Sequence, residues 1–268
     1  MTLSTDLGSA YAAQIKAVLA HRLPPGRVVD LSHDLPPHDV REGGFLVRAM
    51  AERFPTGSVH LVVVDPGVGG SRVPVAVACR NGSVVIGPDN GVLVPLVQAL
   101  GGGTAYAIDP ARVGAGPRVG TTFDGRDLFA PAAARIARGA SPRSLGSPTD
   151  LRTSGGRPPR PTKAGGQGTV VHVDRFGNLI TDVPTSWVPR GRGAVRVRVG
   201  ERLRRLPFVT SYEDGGRGHL VVLGSSFGTL EVAVVEGRAS DRLRARVGTP
   251  VRFAGQGPAT RSARRNRK

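Results

Sequence analysis

Cysteine is almost absent from this 268-residue chain. Cys79 stands alone, which excludes an internal disulfide and makes a reducing cytoplasm the expected setting. Its apolar neighbours, Val75-Ala76-Val77-Ala78, point to a buried, inert thiol. Aromatic side chains make up only 4% of the sequence, so Val, Leu, Ile and Ala must fill the core. No stretch approaches the ~20 apolar residues of a membrane span. The N-terminus lacks a basic flank leading into an apolar run, so no secretory signal is expected. Acidic residues are scarce as well: 20 Asp and Glu face 37 Lys and Arg, a formal charge of +17. Clustered cations neutralise phosphates and release counterions, which invites a nucleic-acid reading. Much of the excess sits in Arg157 to Lys163, Arg192 to Arg205 and Arg261 to Lys268. The first and last of these lie among Pro, Gly and Ser and are expected to stay disordered. Aromatic platforms for single strands are few. Nucleic-acid binding by the basic tail is therefore not expected to be the main role.

What is present is ordinary globular material, 39% hydrophobic and 21% charged. From Met1 to Pro142 strands and helices alternate. Val59 to Val64 is a near-continuous apolar run, as in a strand buried on both faces. Tyr11 to Ala20, residues 40 to 52, Val92 to Leu100 and Leu128 to Arg138 read as helices; Arg27 to Leu31, Val73 to Cys79 and Val84 to Ile86 read as strands. That order predicts an α/β sandwich with a largely parallel sheet over 1–142. Residues 143–168 turn to Pro, Gly, Ser and Arg without periodicity and read as a linker. Short strands without helices follow over 169–256, predicting a smaller all-β barrel domain. A basic tail occupies 257–268.

Four polar clusters fall at predicted strand ends, where open α/β sheets bind ligands. Asp6 follows the first strand; a carboxylate there suits a ribose diol, or caps the next helix. Asp65-Pro66-Gly67-Val68-Gly69-Gly70-Ser71-Arg72 sets an acid and a base around a glycine loop, which plain turn chemistry explains equally well. It is not a P-loop, because the Gly-Lys-Ser ending is missing. Gly87-Pro88-Asp89-Asn90-Gly91 contains a tight-turn signal. Asp124-Gly125-Arg126-Asp127 either caps a helix or forms an Arg–carboxylate network. His33 and His38 are interrupted by Pro36-Pro37, so no metal site is expected. No Gly-x-Ser-x-Gly elbow is present.

In order, Thr5-Asp6-Leu7-Gly8, Ser32-His33-Asp34-Leu35-Pro36-Pro37, Arg41-Glu42-Gly43, Val64 to Gly69, Gly87 to Gly91, Thr122-Phe123, Gly125 to Pro131, Asp174-Arg175-Phe176-Gly177-Asn178 and Leu230 to Val234 span nearly the whole chain. Together they resemble the S-adenosylmethionine hydroxide adenosyltransferases. The resemblance implies conversion of S-adenosylmethionine and water to adenosine and methionine, with no cofactor. It implies an N-terminal α/β domain, a C-terminal β-barrel, and a homotrimer whose ligand sits between the N-terminal domain of one subunit and the C-terminal domain of the next. Asp65 and Arg72 fall on two members of an Asp–Arg–His network that orients the attacking water. Asp124 stands where the family has histidine, and a carboxylate is a weaker base than imidazole. An altered or impaired S-adenosylmethionine-binding paralogue is the alternative that this departure raises. By the same resemblance Asp6 grips the ribose, Asp174 and Asn178 lie near the methionine or ribose end, and Phe176 walls the pocket. Ser225 and Glu231 are assigned to methionine and adenine contacts. Val235 replaces an asparagine, and the segment after Gly8 is short. A halide-dependent adenosyltransferase is a further alternative; Asp65-Pro66-Gly67 and the absence of an extra loop stand against it.

Overall fold

The computed structural model describes residues 1–114, 120–152, 158–188 and 193–255, and the chain divides into two compact units, Met1–Gly156 and Arg157–Lys268. In the first unit β1 (Thr2–Thr5), α1 (Gly8–Ala20), β2 (Val29–Ser32), α2 (Val40–Ala51), β3 (Val59–Val63), β4 (Pro74–Cys79), β5 (Val84–Pro88), α3 (Val94–Ala99), β6 (Gly103–Ala107), α4 (Ala130–Ala137) and β7 (Pro148–Thr149) follow one another. The strands form one sheet in the order β2-β1-β3-β5-β4-β6-β7. Side chains alternate along β3, so Leu61 and Val63 pack with α1 and α4 while Val62 and Val64 pack with α2 and α3. Burial on both faces is why the run carries no polar alternation. Each such side chain contributes roughly 1.5–3 kcal/mol on leaving water.

The sheet is mixed, not largely parallel. β2, β1, β3 and β5 run parallel, whereas β5, β4, β6 and β7 are antiparallel neighbours. The cause is local. Only Arg80 to Ser83 separate β4 from β5, and a parallel pair needs a crossover of about a dozen residues or more. The expected helix from Leu128 starts earlier, as a π-helical turn over Gly125–Phe129 that runs into α4. At α2, Asp39 caps the helix by accepting from the Arg41 and Glu42 amides.

The second unit comprises β8 (Arg160–Thr162), β9 (Gly165–Val173), β10 (Leu179–Pro184), β11 (Ala194–Val199), β12 (Arg202–Pro207), β13 (Leu220–Gly224), β14 (Thr229–Val234), α5 (Ala239–Leu243) and β15 (Pro250–Ala254). The sheet order is β12-β11-β15-β9-β10-β14-β13, with β8 also on β9, and every named pair is antiparallel. A bridge from Phe208 to Val222 brings its two ends together, and the Val209 amide donates to Val222 O at 2.9 Å. The sheet is thus nearly closed into a barrel around Val170, Val197, Leu230, Val251 and Phe253. Within 143–168, read from the sequence as a linker, the described residues form a 3-10 turn (Pro142–Leu145), β7, β8 and the start of β9. Strands of two or three residues are too short to show a period. The basic tail, 257–268, lies outside the described residues.

Cys79 is buried, and burial pushes its thiol pKa up to about 11, so it is protonated near neutral pH. Among the described residues no helix is long and apolar enough to cross a membrane.

His60 on β3 is buried against Phe54, its Nδ1 2.9 Å from Thr2 Oγ1 and its Nε2 without a partner. Burial, aided by the N-terminal charge, lowers its pKa from 6.5 to about 4. The unfolded chain therefore takes up a proton in this window that the folded chain refuses. Stability is full above pH 6.5 and falls as the pH drops toward 4, by on the order of 3 kcal/mol from this residue. Urea unfolding at pH 7.5 and 4.5 should show that loss, and His60→Gln should show a smaller pH dependence.

Candidate functional site

Because β1, β3 and β5 are parallel, their carboxyl ends share one edge of the sheet. Asp6 follows β1, Asp65 follows β3, and Asp89-Asn90 follows β5. β4 runs the opposite way, so the residues that precede it, Arg72 among them, reach the same edge. Gly87 permits the strands to close there: a Cβ on it would lie 2.3 Å from Val62 O. Asn90 donates to Val64 O at 2.9 Å and Asp89 accepts the Arg152 amide at 2.8 Å, so both hold loops in place.

Arg72 is the centre of this edge. Its Nε donates to both Asp65 oxygens at 3.0 Å, and its Nη2 donates to Asp65 Oδ2 at 2.6 Å and to Asp124 Oδ2 at 2.5 Å. All three side chains are buried, between 5 and 8% exposed. Burial alone would lower the Arg72 pKa; the hydrogen bonds and charges of Asp65 and Asp124 outweigh it and hold the value above the ordinary one. The Phe129 ring lies beneath the guanidinium, 5.4 Å from its carbon. Asp124 arrives at the start of the π turn, where Gly125 packs against Ile15, Phe123 and Val63 with room for little more than hydrogen. Such turns recur at functional sites.

Asp6 is half-buried. Its Oδ2 accepts the His38 amide at 3.3 Å, while Oδ1 is buried without a partner. Burial raises its pKa, and the Asp65 charge adds to the rise against the His38 contribution. An acceptor desolvated and left open is suited to a ligand hydroxyl. The neighbouring Asp127 has a different task. It pairs with Arg126 at 2.6 Å, and Arg126 reaches Gln14 and stacks over Phe123.

The second unit carries a cavity of about 740 Å³. Asp174, Phe176, Asn178, Tyr212, Ser225 and Glu231 are among its lining residues. Asp174 Oδ1 accepts the amides of Phe176 and Asn178, each at 2.9 Å, and its Oδ2 accepts from Asn178 Nδ2 at 3.0 Å. This turn requires Gly177, which has φ 82° and whose Cβ would lie 2.7 Å from that of Arg238. Tyr212 links the wall: its hydroxyl donates to Glu231 Oε1 at 2.5 Å and lies 3.4 Å from Asn178 Nδ2. Burial raises the Glu231 pKa, the Tyr212 bond opposes this, and Asp174 adds to it. Phe176 is 67% exposed at the rim. Ser225 Oγ is engaged locally, by the Phe227 amide at 3.2 Å and Thr229 Oγ1 at 3.1 Å.

Thus Asp65, Arg72 and Asp124 meet directly, and Asp6 feels the Asp65 charge. Asp174, Asn178 and Glu231 meet through Tyr212, with Phe176 and Ser225 on the same cavity. Sequence reasoning passed over Tyr212, which sits in no motif, and the cation–π role of Phe129, although that residue lies in a quoted one. Among the described residues no three His, Cys, Asp or Glu are grouped to hold a metal.

Residues 1–146 match the SAM hydroxide adenosyltransferase N-terminal domain and residues 168–252 its C-terminal domain. The chain belongs to the SAM hydroxide adenosyltransferase family. It is 38% identical over 248 residues to a protein of Salinispora tropica named (R)-S-adenosyl-L-methionine hydrolase, covering 91% of this chain and 93% of that one. A protein of the same name from Thermus thermophilus is 39% identical over 257 residues, covering 92% and 95%. A protein of Actinoplanes sp. named fluorinase is 26% identical, covering 85% and 88%. The crystal structure of an uncharacterized conserved protein from Thermotoga maritima has the same fold, with a TM-score of 0.88 at 31% identity, covering 94% of this chain and 99% of that one.

Replacing Arg72 by Met should leave two buried carboxylates facing each other. Chemical denaturation should register a loss of about 3–5 kcal/mol, the usual result of removing one partner from a buried ion pair.

Proposed function

We propose that this chain hydrolyses S-adenosylmethionine to adenosine and L-methionine. The observation that carries this reading is the buried Asp65–Arg72–Asp124 network at the carboxyl edge of the parallel strands, beside the open Asp6 acceptor. Names and identities of the relatives support it: three proteins named hydrolase are 36–39% identical and a fourth 27%, while those named fluorinase are 25–26%.

The sulfonium already carries positive charge and leaves as a neutral thioether, so the leaving group needs no acid. A water oxygen forms the new bond to ribose C5′ as the C5′–S bond breaks and its electron pair passes to sulfur. The water proton goes to a carboxylate, Asp124 in this assignment. Arg72 holds both acids in fixed directions, which favours one in-line geometry for the water. A carboxylate is in general a weaker base than the imidazole that the family resemblance implies at this position, so position rather than basicity carries more of the acceleration. Asp6 takes the ribose hydroxyls. Asp174, Asn178, Glu231 and Ser225 take the polar ends of the substrate, and Phe176 covers an apolar face. This chemistry calls for no cofactor. In this reading the protein acts as a homotrimer with the site completed between subunits, the assembly that the family resemblance implies.

Incubation with S-adenosylmethionine in oxygen-18 water, with and without chloride or fluoride, should give adenosine labelled at O5′ by mass spectrometry. Intact substrate or a 5′-halogenated nucleoside would sink the assignment. Asp124→Asn, unable to take the proton, should lower kcat by about 10²–10⁴-fold with a smaller change in KM.

A further inference from the structure

The arginine-rich stretches noted in the sequence are not used by the proposed reaction, and two of them come together on the barrel. Arg160 lies on β8, Arg196 and Arg198 on β11, and Arg205 on β12. Arg252 lies on β15, the strand that directly precedes the basic tail. Register puts Arg198 opposite Arg252, Arg252 opposite Gln167, and Gln167 opposite Arg160. In the next row Arg196 stands opposite Arg205. Directly opposed residues share a face. Val195, Val197, Val199, Val251 and Phe253, which alternate with these arginines, are buried in the barrel, so the arginines face outward, and all five are exposed.

Two pairs of like charge sit directly opposite one another, an arrangement that destabilises a sheet. Among the described residues none of the five forms an ion pair. A groove of about 410 Å³ runs past Arg198, Arg252, Gln167 and Thr169, with Glu201 as the acidic residue in its lining. An anion laid across these rows would relieve the repulsion. We infer that this outer face, β12-β11-β15-β9-β8, docks the phosphodiester backbone of duplex nucleic acid.

The chemistry favours phosphate over an acidic protein. Every cation on the face is arginine, whose forked guanidinium matches phosphate oxygens in pairs. Protein interfaces centre on apolar or aromatic anchors, and Leu203 is the one large apolar side chain exposed in these two rows. Without an aromatic platform the face cannot stack bases, so the docking is independent of sequence.

The test is fluorescence anisotropy of a labelled 25-base-pair duplex of arbitrary sequence with the full chain, titrated between 50 and 200 mM salt. The variant Arg160→Gln, Arg196→Gln, Arg198→Gln, Arg252→Gln keeps the strands and touches no residue assigned to catalysis. It should bind roughly 100-fold more weakly at 100 mM salt, with a log K against log salt slope shallower by about 3–4, at a melting temperature that is raised or unchanged but not lowered. A chain lacking 257–268 should keep part of the affinity and lose it only when the four substitutions are added. No binding by the full chain at 50 mM salt would overturn the inference. So would binding that ignores the four substitutions but vanishes with the tail. Displacement of the duplex by poly-glutamate at equal charge, or preferential capture by anionic vesicles, would likewise overturn it and move the face to another class of partner.

Discussion

A guanidinium buried between two carboxylates is expensive to desolvate, and the first unit is organised around making that arrangement tolerable. Arg72 reaches Asp65 from the loop before β4, and Asp124 from the turn before α4, so one side chain ties a strand end, a loop and a helix start. The pair charges alone would not hold it. The bidentate fit to Asp65, the second acid and the Phe129 ring together supply what water has withdrawn. Moving any of these elements by an ångström would strand a charge inside the protein. The mixed sheet is therefore part of the site: only an antiparallel β4 returns Arg72 to the edge where parallel β3 ends.

The second unit solves a different problem. Its cavity is walled by groups that satisfy one another: Asp174 is held by backbone amides, Asn178 by Asp174, and Glu231 by Tyr212. Little side-chain entropy remains to be lost when a ligand arrives, which is the physical content of a preorganised wall. Its outer surface behaves oppositely. On the face of β12-β11-β15, Arg196 stands against Arg205 and Arg198 against Arg252, with no ion pair to any of these four among the described residues, so that face is held in a state that a polyanion would stabilise.

The secondary structure was legible wherever a residue pattern had length to express itself. β3, a run of Val and Leu broken only by His60, and α2, long enough for its apolar residues to show helical spacing, were readable, and so were most strands of the barrel. β6, β7, β8, β12 and α5 were not. β7 and β8 are too short for periodicity, and β12 carries arginines on an edge where burial imposes no alternation. The parallel reading of the sheet failed at β4 because strand composition is nearly the same in either direction. The four-residue connection to β5 was the available clue.

For the site, Asp6, Asp65, Arg72 and Asp124 were identifiable because each sits in a short motif at a strand or helix end, where chain direction already points side chains toward an edge. Tyr212 had no such marker; its importance comes from what stands opposite it. By itself the sequence determined the alternation of elements, the apolar core and the set of residue types available for chemistry, since these depend on local spacing. Tertiary structure alone decided which charges meet. It paired Arg72 with two acids, left Asp6 Oδ1 open, and gathered separate arginine stretches onto one face. Coulomb energy and desolvation depend on distances between residues far apart in the chain, and only folding sets those distances.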